Sequence, residues 1–167
     1  MNEILRPPVP SWKEGSAAPW LVPLDVLVGQ LVAARAQMAS QNGPCLRWEC
    51  CVPEGILLPE RTATYLGICL NELLTNAANY SLPEDKVTIS IDAKRWGQRL
   101  FVDVANPASQ RSYEQLRKTP SGTGIVDALL ENVIRGRRKA SYDASTHTLR
   151  QRVTIHLAPK PSTGGSR

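Results

Sequence analysis

The 167-residue sequence predicts an α+β domain, a two-layer sandwich in which helices cover one face of a mostly antiparallel, mixed sheet. Three observations lead to this prediction. Long stretches carry apolar residues at helical spacing, and shorter stretches alternate apolar and polar residues as strands do. Most strands follow one another with only a turn between them, which favours antiparallel hairpins.

The composition separates a folded centre from two irregular ends. Prolines are concentrated in residues 1–22, which we expect to form an arm or linker, and residues 159–167 are expected to be a flexible tail. Residues 23–158 are predicted to be one domain, because the chain is 42% apolar and 21% charged, as globular proteins are. No signal segment or apolar run of roughly 20 residues occurs, so we expect a cytoplasmic chain without a membrane segment.

Two helices are predicted in the first half, with a strand between them. Residues 24–40 carry apolar side chains on one helical face, and residues 42–44 (Asn-Gly-Pro) end that helix. Residues 46–52 alternate loosely, as a strand does. Residues 60–80 form a long predicted helix, which a proline precedes where proline is tolerated. Its apolar face consists of Leu66, Cys69, Leu70, Leu73, Leu74 and Ala77.

The second half is predicted to be richer in strands. Apolar and polar residues alternate along its strands, and the apolar residues of its main helix lie on one helical face. In chain order, the predicted elements are strands over 87–91 and 100–104 with a turn at 96–98, a short helix over 112–118, a helix over 124–134, and strands over 140–142 and 149–157.

The charge and the cysteines argue against several classes of site. The net charge of +5 is scattered, apart from the cluster of Arg135, Arg137, Arg138 and Lys139. A solvated, basic helix end is the favoured interpretation of this cluster, with phosphate or nucleic-acid binding as the alternative. No basic motif with interleaved aromatic residues occurs, so we expect no nucleic-acid partner. The 4 cysteines form no C-x-x-C pair, so zinc-ligand spacing is absent.

Glu72 and Asn76 are the residues whose spacing indicates chemistry. They are one turn apart on the long predicted helix and therefore share a face. The amide oxygen of an asparagine can ligate Mg²⁺, which favours hard oxygen donors. A carboxylate beside it can orient or deprotonate a nucleophile. From composition alone, a polar helix face exposed to water is the favoured alternative.

Residues 71–81 (NELLTNAANYS) resemble the N box of the histidine-kinase, gyrase and chaperone ATPase superfamily, also called the Bergerat or GHKL family. The version found in sensor kinases is similar to E-L-x-x-N-A-x-K-Y-S. The order of predicted elements over residues 24–158 is also similar to that of the family. The resemblance implies a Bergerat ATP-binding fold with ATP and Mg²⁺ as ligands. It implies that Asn76 is the metal ligand and that Glu72 is the catalytic acidic residue near the attacked phosphate.

The resemblance also implies a surface for the nucleotide. Asn79 and Tyr80 follow the N box, and Asn79 stands where the family has a basic residue. The family's first glycine box begins with an aspartate that accepts a hydrogen bond from adenine. Strand alternation places Asp103 on the opposite face from Val104 and Asn106. Asn106 is then the residue equivalent to the family's aspartate, and its side-chain oxygen can accept the same hydrogen bond but carries no charge.

The second glycine box is implied by Gly122, Thr123, Gly124 and Ile125, which resemble the family's G-x-G-L/I. Glycines ahead of a helix let backbone N–H groups approach a phosphate, although a plain loop is the alternative. The segment between the two glycine boxes stands where the family has its ATP lid. It offers three cations that could cover the phosphates, Arg111, Arg117 and Lys118. An ordinary basic loop is the alternative interpretation of this segment. Ala108, Ser109 and Val126 replace glycines of the family.

The resemblance implies the ATP-binding catalytic domain of a sensor histidine kinase in two-component signal transduction. It would transfer a phosphoryl group from Mg-ATP to a histidine outside this chain, since neither His147 nor His156 precedes the N box. The expected partner is a phosphoacceptor or regulatory protein domain.

The alternative is a degenerate pseudokinase, or a module like an anti-sigma factor, that binds a partner protein with weak or no ATP turnover. The replaced glycines and Asn79 favour this alternative, so enzymatic activity stays open. A third interpretation is an unrelated α+β domain in which the N box is a coincidence.

Overall fold

The computed structural model describes residues 20–39, 45–82, 86–118 and 121–157. Most of the predicted arm, the helix-ending residues 42–44 and the predicted tail lie outside this part of the chain. In chain order the elements are β1 (Leu21–Pro23), α1 (Leu24–Ala39), β2 (Cys45–Cys51), β3 (Leu57–Pro59), α2 (Glu60–Asn79), β4 (Lys86–Trp96), β5 (Arg99–Pro107), α3 (Gln110–Lys118), α4 (Ser121–Asn132), β6 (Gly136–Asp143) and β7 (Thr148–His156).

A mixed five-stranded sheet forms one layer of the fold, in the order β2-β4-β5-β7-β6. β2 and β4 are parallel, and the long α2 provides the crossover between them. The remaining pairs are antiparallel. Tight turns join β4 to β5 and β6 to β7, and Gly97 in the first turn has a φ of +58°, which glycine adopts without strain. The predicted mixed, mostly antiparallel sheet is confirmed.

The core lies between one face of this sheet and the helices. Strand alternation sends a row of buried apolar residues inward from β4, β5 and β7, and α2 packs on this row. Every member of the predicted apolar face of α2 is buried. The opposite sheet face carries polar side chains, such as the Asp103–Arg152 ion pair at 2.8 Å. The fold is therefore the predicted two-layer α+β sandwich.

Two features differ from the sequence-based expectation. β1 and β3 form a small antiparallel sheet, and β1 begins at Leu21, within the segment expected to be an arm. Strands this short carry no readable alternation. Helix α4 begins at Ser121, so the G-x-G segment lies in its first turn and the expectation of a loop before the helix is wrong. Glycine in a helix has only a modest energetic cost.

No helix within the described parts of the chain has the length and apolar character that crossing a membrane requires.

Gly136 and Gly29 provide a test of this packing. A Cβ at Gly136 would lie 2.7 Å from Cγ2 of Ile155 and 2.8 Å from the carbonyl oxygen of Thr154, whereas a Cβ at Gly29 meets no atom within 4 Å. We expect Gly136→Ala to lower the free energy of unfolding by about 1–3 kcal/mol through overpacking. The control Gly29→Ala should raise it by about 0.5–1 kcal/mol, because alanine favours the helix. Urea denaturation measures both, and equal effects would contradict the packing of β6.

Candidate functional site

One face of α2 carries the N-box pair, and this face lies toward α4. Asn76 is buried with 8% of its surface exposed, and Glu72 is half-buried. Cys69 lies on the same face, and its Sγ is 3.9 Å from the carbonyl oxygen of Val126 in α4. Burial raises the pKa of the Cys69 thiol to about 11, so this group is a neutral packing residue at pH 7. The alternative of a fully solvated polar face does not hold for Asn76.

A different face of α2 is tied to α1 by Arg35. Its guanidinium donates to the side-chain oxygen of Asn71 at 2.8 Å and to the hydroxyl of Thr75. The Thr75 hydroxyl in turn donates to the backbone oxygen of Asn71 at 2.8 Å. Asn71 therefore has a structural role between the helices and lies outside the candidate site.

Helix α4 runs antiparallel to α2. Val126, in the first half of α4, lies beside Cys69. The segment after α4 and Thr62, near the start of α2, line the same cavity of about 410 Å³. The first turn of α4 must therefore lie toward Asn76. This turn contains Gly122, Thr123 and Gly124, and the N–H groups of a first helical turn lack partners within the helix. A Cβ at Gly124 would meet no atom within 4 Å, so packing within the protein does not require a glycine there.

Asn106, at the end of β5, joins the sheet to the end of α2. It is 2% exposed, and its amide nitrogen donates to the hydroxyl oxygen of Ser81 at 3.1 Å and to the Pro107 carbonyl at 3.2 Å. The Ser81 hydroxyl donates to the carbonyl of Ala77 at 2.5 Å. Asn106 and the end of the N box therefore form one hydrogen-bonded corner. The predicted orientation of β5 is confirmed, since Asp103 lies on the opposite sheet face.

Two buried amide atoms at this end of α2 have no hydrogen-bond partner within the described chain. One is the side-chain oxygen of Asn106, and the other is the side-chain nitrogen of Asn76. Leaving a buried polar atom unpaired costs about 1–3 kcal/mol, so each such atom in a native protein requires an explanation. A ligand with both donor and acceptor groups would remove this cost.

Helix α3 covers this corner, in the place of the expected lid. Leu116 of α3 is buried in a small cluster with Ala108 and Leu149, and Tyr80 packs against the same cluster. Leu149 is the partner of Asn106 across β5 and β7. The hydroxyl oxygen of Ser109 accepts from the backbone N–H of Ser112 at 3.1 Å, which caps α3. The expected short helix is confirmed, and it begins two residues earlier, at Gln110.

Other predicted residues lie on the surface around the corner. Asn79, the last residue of α2, is exposed, and so is Ile125 in α4 with 61% of its surface accessible. The three expected lid cations are exposed, namely Arg111, Arg117 and Lys118. The guanidinium of Arg117 is 5.8 Å from the ring centre of Tyr113.

A polar cluster that the sequence did not predict lies between α4 and the sheet. Arg138 forms two hydrogen bonds of 3.0 Å to the carboxylate of Asp127 and one of 3.2 Å to the side-chain oxygen of Gln151. Gln151 is 1% exposed, and its side-chain nitrogen has no partner among the described residues. The inward position of Gln151 in the alternation of β7 could have revealed it. Asp127 and Arg138 also line a cavity of about 270 Å³ beneath α3.

The expectation of a basic helix end at Arg135, Arg137, Arg138 and Lys139 is therefore wrong in two respects. All but Arg135 belong to strand β6, and Arg138 points inward to its ion pair while its neighbours are exposed. Alternating side chains of an edge strand explain the pattern. Within the described residues, no group of His, Cys, Asp and Glu has the composition of a metal site.

The three-dimensional structure is similar to those of known proteins. No family model and no curated protein matches the sequence. The histidine kinase domain of the blue-light activated kinase EL346 from Erythrobacter litoralis matches 86% of this chain with a TM-score of 0.70 and 16% identity. The chain has the fold of histidine kinase catalytic domains. It spans 65% of that EL346 domain and 42% of a longer EL346 structure.

Two further histidine kinases support the assignment of this fold. The catalytic domain of histidine kinase ThkA is matched over its whole length and 86% of this chain, with a TM-score of 0.67 and 15% identity. The mycobacterial sensor histidine kinase MprB is matched over the same shares of both chains, with a TM-score of 0.64 and 13% identity. The same fold is thus found at 13–16% sequence identity.

The Asp127–Arg138 ion pair provides a test of the cluster. Asp127→Ala leaves the Arg138 guanidinium, whose side chain is only 12% exposed, without its two carboxylate hydrogen bonds. We expect the free energy of unfolding to fall by about 1.5–3 kcal/mol. The surface pair Arg47–Glu49 is the control, and Glu49→Ala should cost less than about 1 kcal/mol. Chemical denaturation measures both, and a cost for Asp127→Ala no larger than the control would contradict a structural role for the pair.

Proposed function

We propose that this chain is the ATP-binding domain of a histidine kinase, which holds Mg-ATP for phosphoryl transfer to a histidine outside the chain. The observation that carries the proposal is the buried, unpaired side-chain oxygen of Asn106, in a fold that histidine kinase catalytic domains share. This atom is polar, directional and enclosed, as the polar groups of a small-molecule site are.

Asn106 would bind the base. Its unpaired oxygen is an acceptor, and the 6-amino group of adenine supplies the donor that this atom lacks. Tyr80 and Leu149 provide apolar surface at the same corner. An amide oxygen in place of a carboxylate gives a weaker bond, because the acceptor carries no charge.

Asn76 and the first turn of α4 would hold the other end of the nucleotide. The Asn76 side-chain oxygen is a hard donor suited to Mg²⁺, which would neutralise charge on the phosphates. The N–H groups of Gly122, Thr123 and Gly124, at the positive end of the α4 dipole, would face the phosphates. Ile125 follows them on the surface of α4.

Glu72 would be the acidic residue nearest the transferred phosphate. It is half-buried on the same face as Asn76, and its carboxylate forms no hydrogen bond or ion pair with the described part of the chain. Its carboxylate is therefore free to orient the attacking group. The partner in this proposal is the protein domain that carries the phosphoaccepting histidine.

Helix α3 would act as the lid. Its exposed cations, Arg111, Arg117 and Lys118, would cover the phosphates, and Asn79 at the end of α2 would add a neutral contact. Because Leu116 is buried in the cluster around Tyr80, α3 must shift to admit a nucleotide. Its buried apolar surface sets the energetic cost of that movement.

A second candidate function is a degenerate module that binds a partner protein with weak or no ATP turnover. It is favoured by Val126 and Ala108, which fill core positions where the family has glycines. It is also favoured by the closed position of α3.

Nucleotide binding separates the two candidates. We expect Mg-ATP at about 100 times its Kd to stabilise the folded chain by about 2.7 kcal/mol, which raises the Tm by about 5–10 °C. Differential scanning fluorimetry over a nucleotide titration gives the measurement. An unchanged Tm at millimolar Mg-ATP would contradict the kinase proposal and favour the partner-binding module.

The metal assignment is tested by Asn76→Ala. We expect this variant to lose the difference in Tm between ATP with Mg²⁺ and ATP with a chelator, because the amide ligand is gone. Asn132→Ala is a matched control, since Asn132 is an exposed asparagine on α4 that bonds only to a carbonyl of its own helix. A Mg²⁺-dependent shift that persists in Asn76→Ala would show that another group holds the metal.

A further inference from the structure

Ser81 sits between the end of α2 and Asn106 and has a single proton to donate. That proton is used in the hydrogen bond to the Ala77 carbonyl, which accepts at an oxygen–oxygen distance of 2.5 Å. The Ser81 oxygen can therefore only accept from the Asn106 amide, 3.1 Å away. The side of the Asn106 amide that faces Ser81 must be its nitrogen.

The second neighbour of this nitrogen is also an acceptor. The Pro107 carbonyl lies 3.2 Å from the Asn106 nitrogen and already accepts from the backbone N–H of Leu82 at 3.0 Å. If the amide were rotated by half a turn, its oxygen would face two acceptors. The side chain is thus held in one of its two orientations, with the oxygen directed away from Ser81.

The fixed orientation of Asn106 matters because the two ends of an amide differ chemically, whereas those of a carboxylate do not. A carboxylate can only accept, whereas an amide can present either its oxygen or its NH₂ group to a ligand. The first presentation suits a 6-amino purine, and the second suits a 6-keto purine. Without a fixed orientation, Asn106 would accommodate both kinds of base.

We infer that Ser81 is the positioning residue that fixes Asn106 as an acceptor and so makes the site select a 6-amino purine over a 6-keto purine. The inference rests on the proposed binding of a nucleotide at this corner. Asn106 is 2% exposed, so water cannot readily replace a mismatched hydrogen bond. A keto oxygen facing the Asn106 oxygen leaves two buried acceptors unpaired.

The test compares ADP with IDP, which differ at the base by a 6-amino and a 6-keto group. Titration calorimetry of the full chain with each nucleotide and Mg²⁺ gives the two Kd values. We expect the wild-type chain to bind ADP at least about tenfold more tightly than IDP. In Ser81→Ala the preference should fall about fivefold, the worth of one hydrogen bond, mainly because IDP binds more tightly. Ser81→Thr keeps the hydroxyl and should keep the preference.

A control variant separates positioning from a general effect on the helix. Thr64→Ala removes the same kind of bond, from a hydroxyl to the carbonyl four residues earlier in α2, at a site far from Asn106. It should leave the ADP preference unchanged.

The outcomes also separate this inference from the proposed function. Failure of the wild-type chain to bind either nucleotide overturns the proposed function and the inference together. Binding of ADP with an unchanged preference in Ser81→Ala overturns the role of Ser81 and leaves the proposed function standing. A preference that falls as far in Thr64→Ala as in Ser81→Ala also overturns the role of Ser81.

Discussion

Helix α2 packs onto the sheet through its apolar face, and the positions of the candidate site residues follow from that contact. Leu70, Leu73 and Leu74 are buried against β4, β5 and β7, which fixes the rotation of the helix about its axis. The face that carries Glu72 and Asn76 must then turn toward α4. α2 is also the crossover between the parallel strands β2 and β4, so it ends near the start of β4. Because β5 is antiparallel to β4, the end of β5 lies beside the start of β4 and therefore near the end of α2. A change of rotation would turn Asn76 away from α4.

The two layers, and which face of each long strand is buried, could be predicted from the sequence. The reason is that the periodicity of apolar residues along a long element indicates which side chains are buried. The alternation of β5 was sufficient to place Asn106 inward and Asp103 outward, and the structure agrees. The short pairing of β1 with β3 and the start of α4 could not be predicted, since short strands and helix ends depend on tertiary contacts. The Asp127–Arg138 pair joins a helix to the strand that follows it, and neither the helical nor the strand periodicity states which side chains of the two elements meet.

The residues that depart from the family pattern have structural explanations in this chain. Ser109 caps α3, Ala108 is buried beneath it, and Val126 fills the core beside Cys69. Each replacement adds packing or a hydrogen bond where a glycine would leave backbone open to a ligand. Ala108 and Ser109 also stabilise the observed position of α3. In the proposed function, stability of the free chain therefore opposes access of a nucleotide to the proposed site.

The order of the strands has a consequence for how the chain is made. β7 is the last strand of the described sheet in sequence, yet it lies between β5 and β6 in space. Until it emerges from the ribosome, β5 has an open edge and Asn106 lacks its neighbour Leu149. Open edges invite pairing with other chains, so a truncated or stalled product is an aggregation hazard. The site corner is thus among the last parts of the domain to be completed during synthesis.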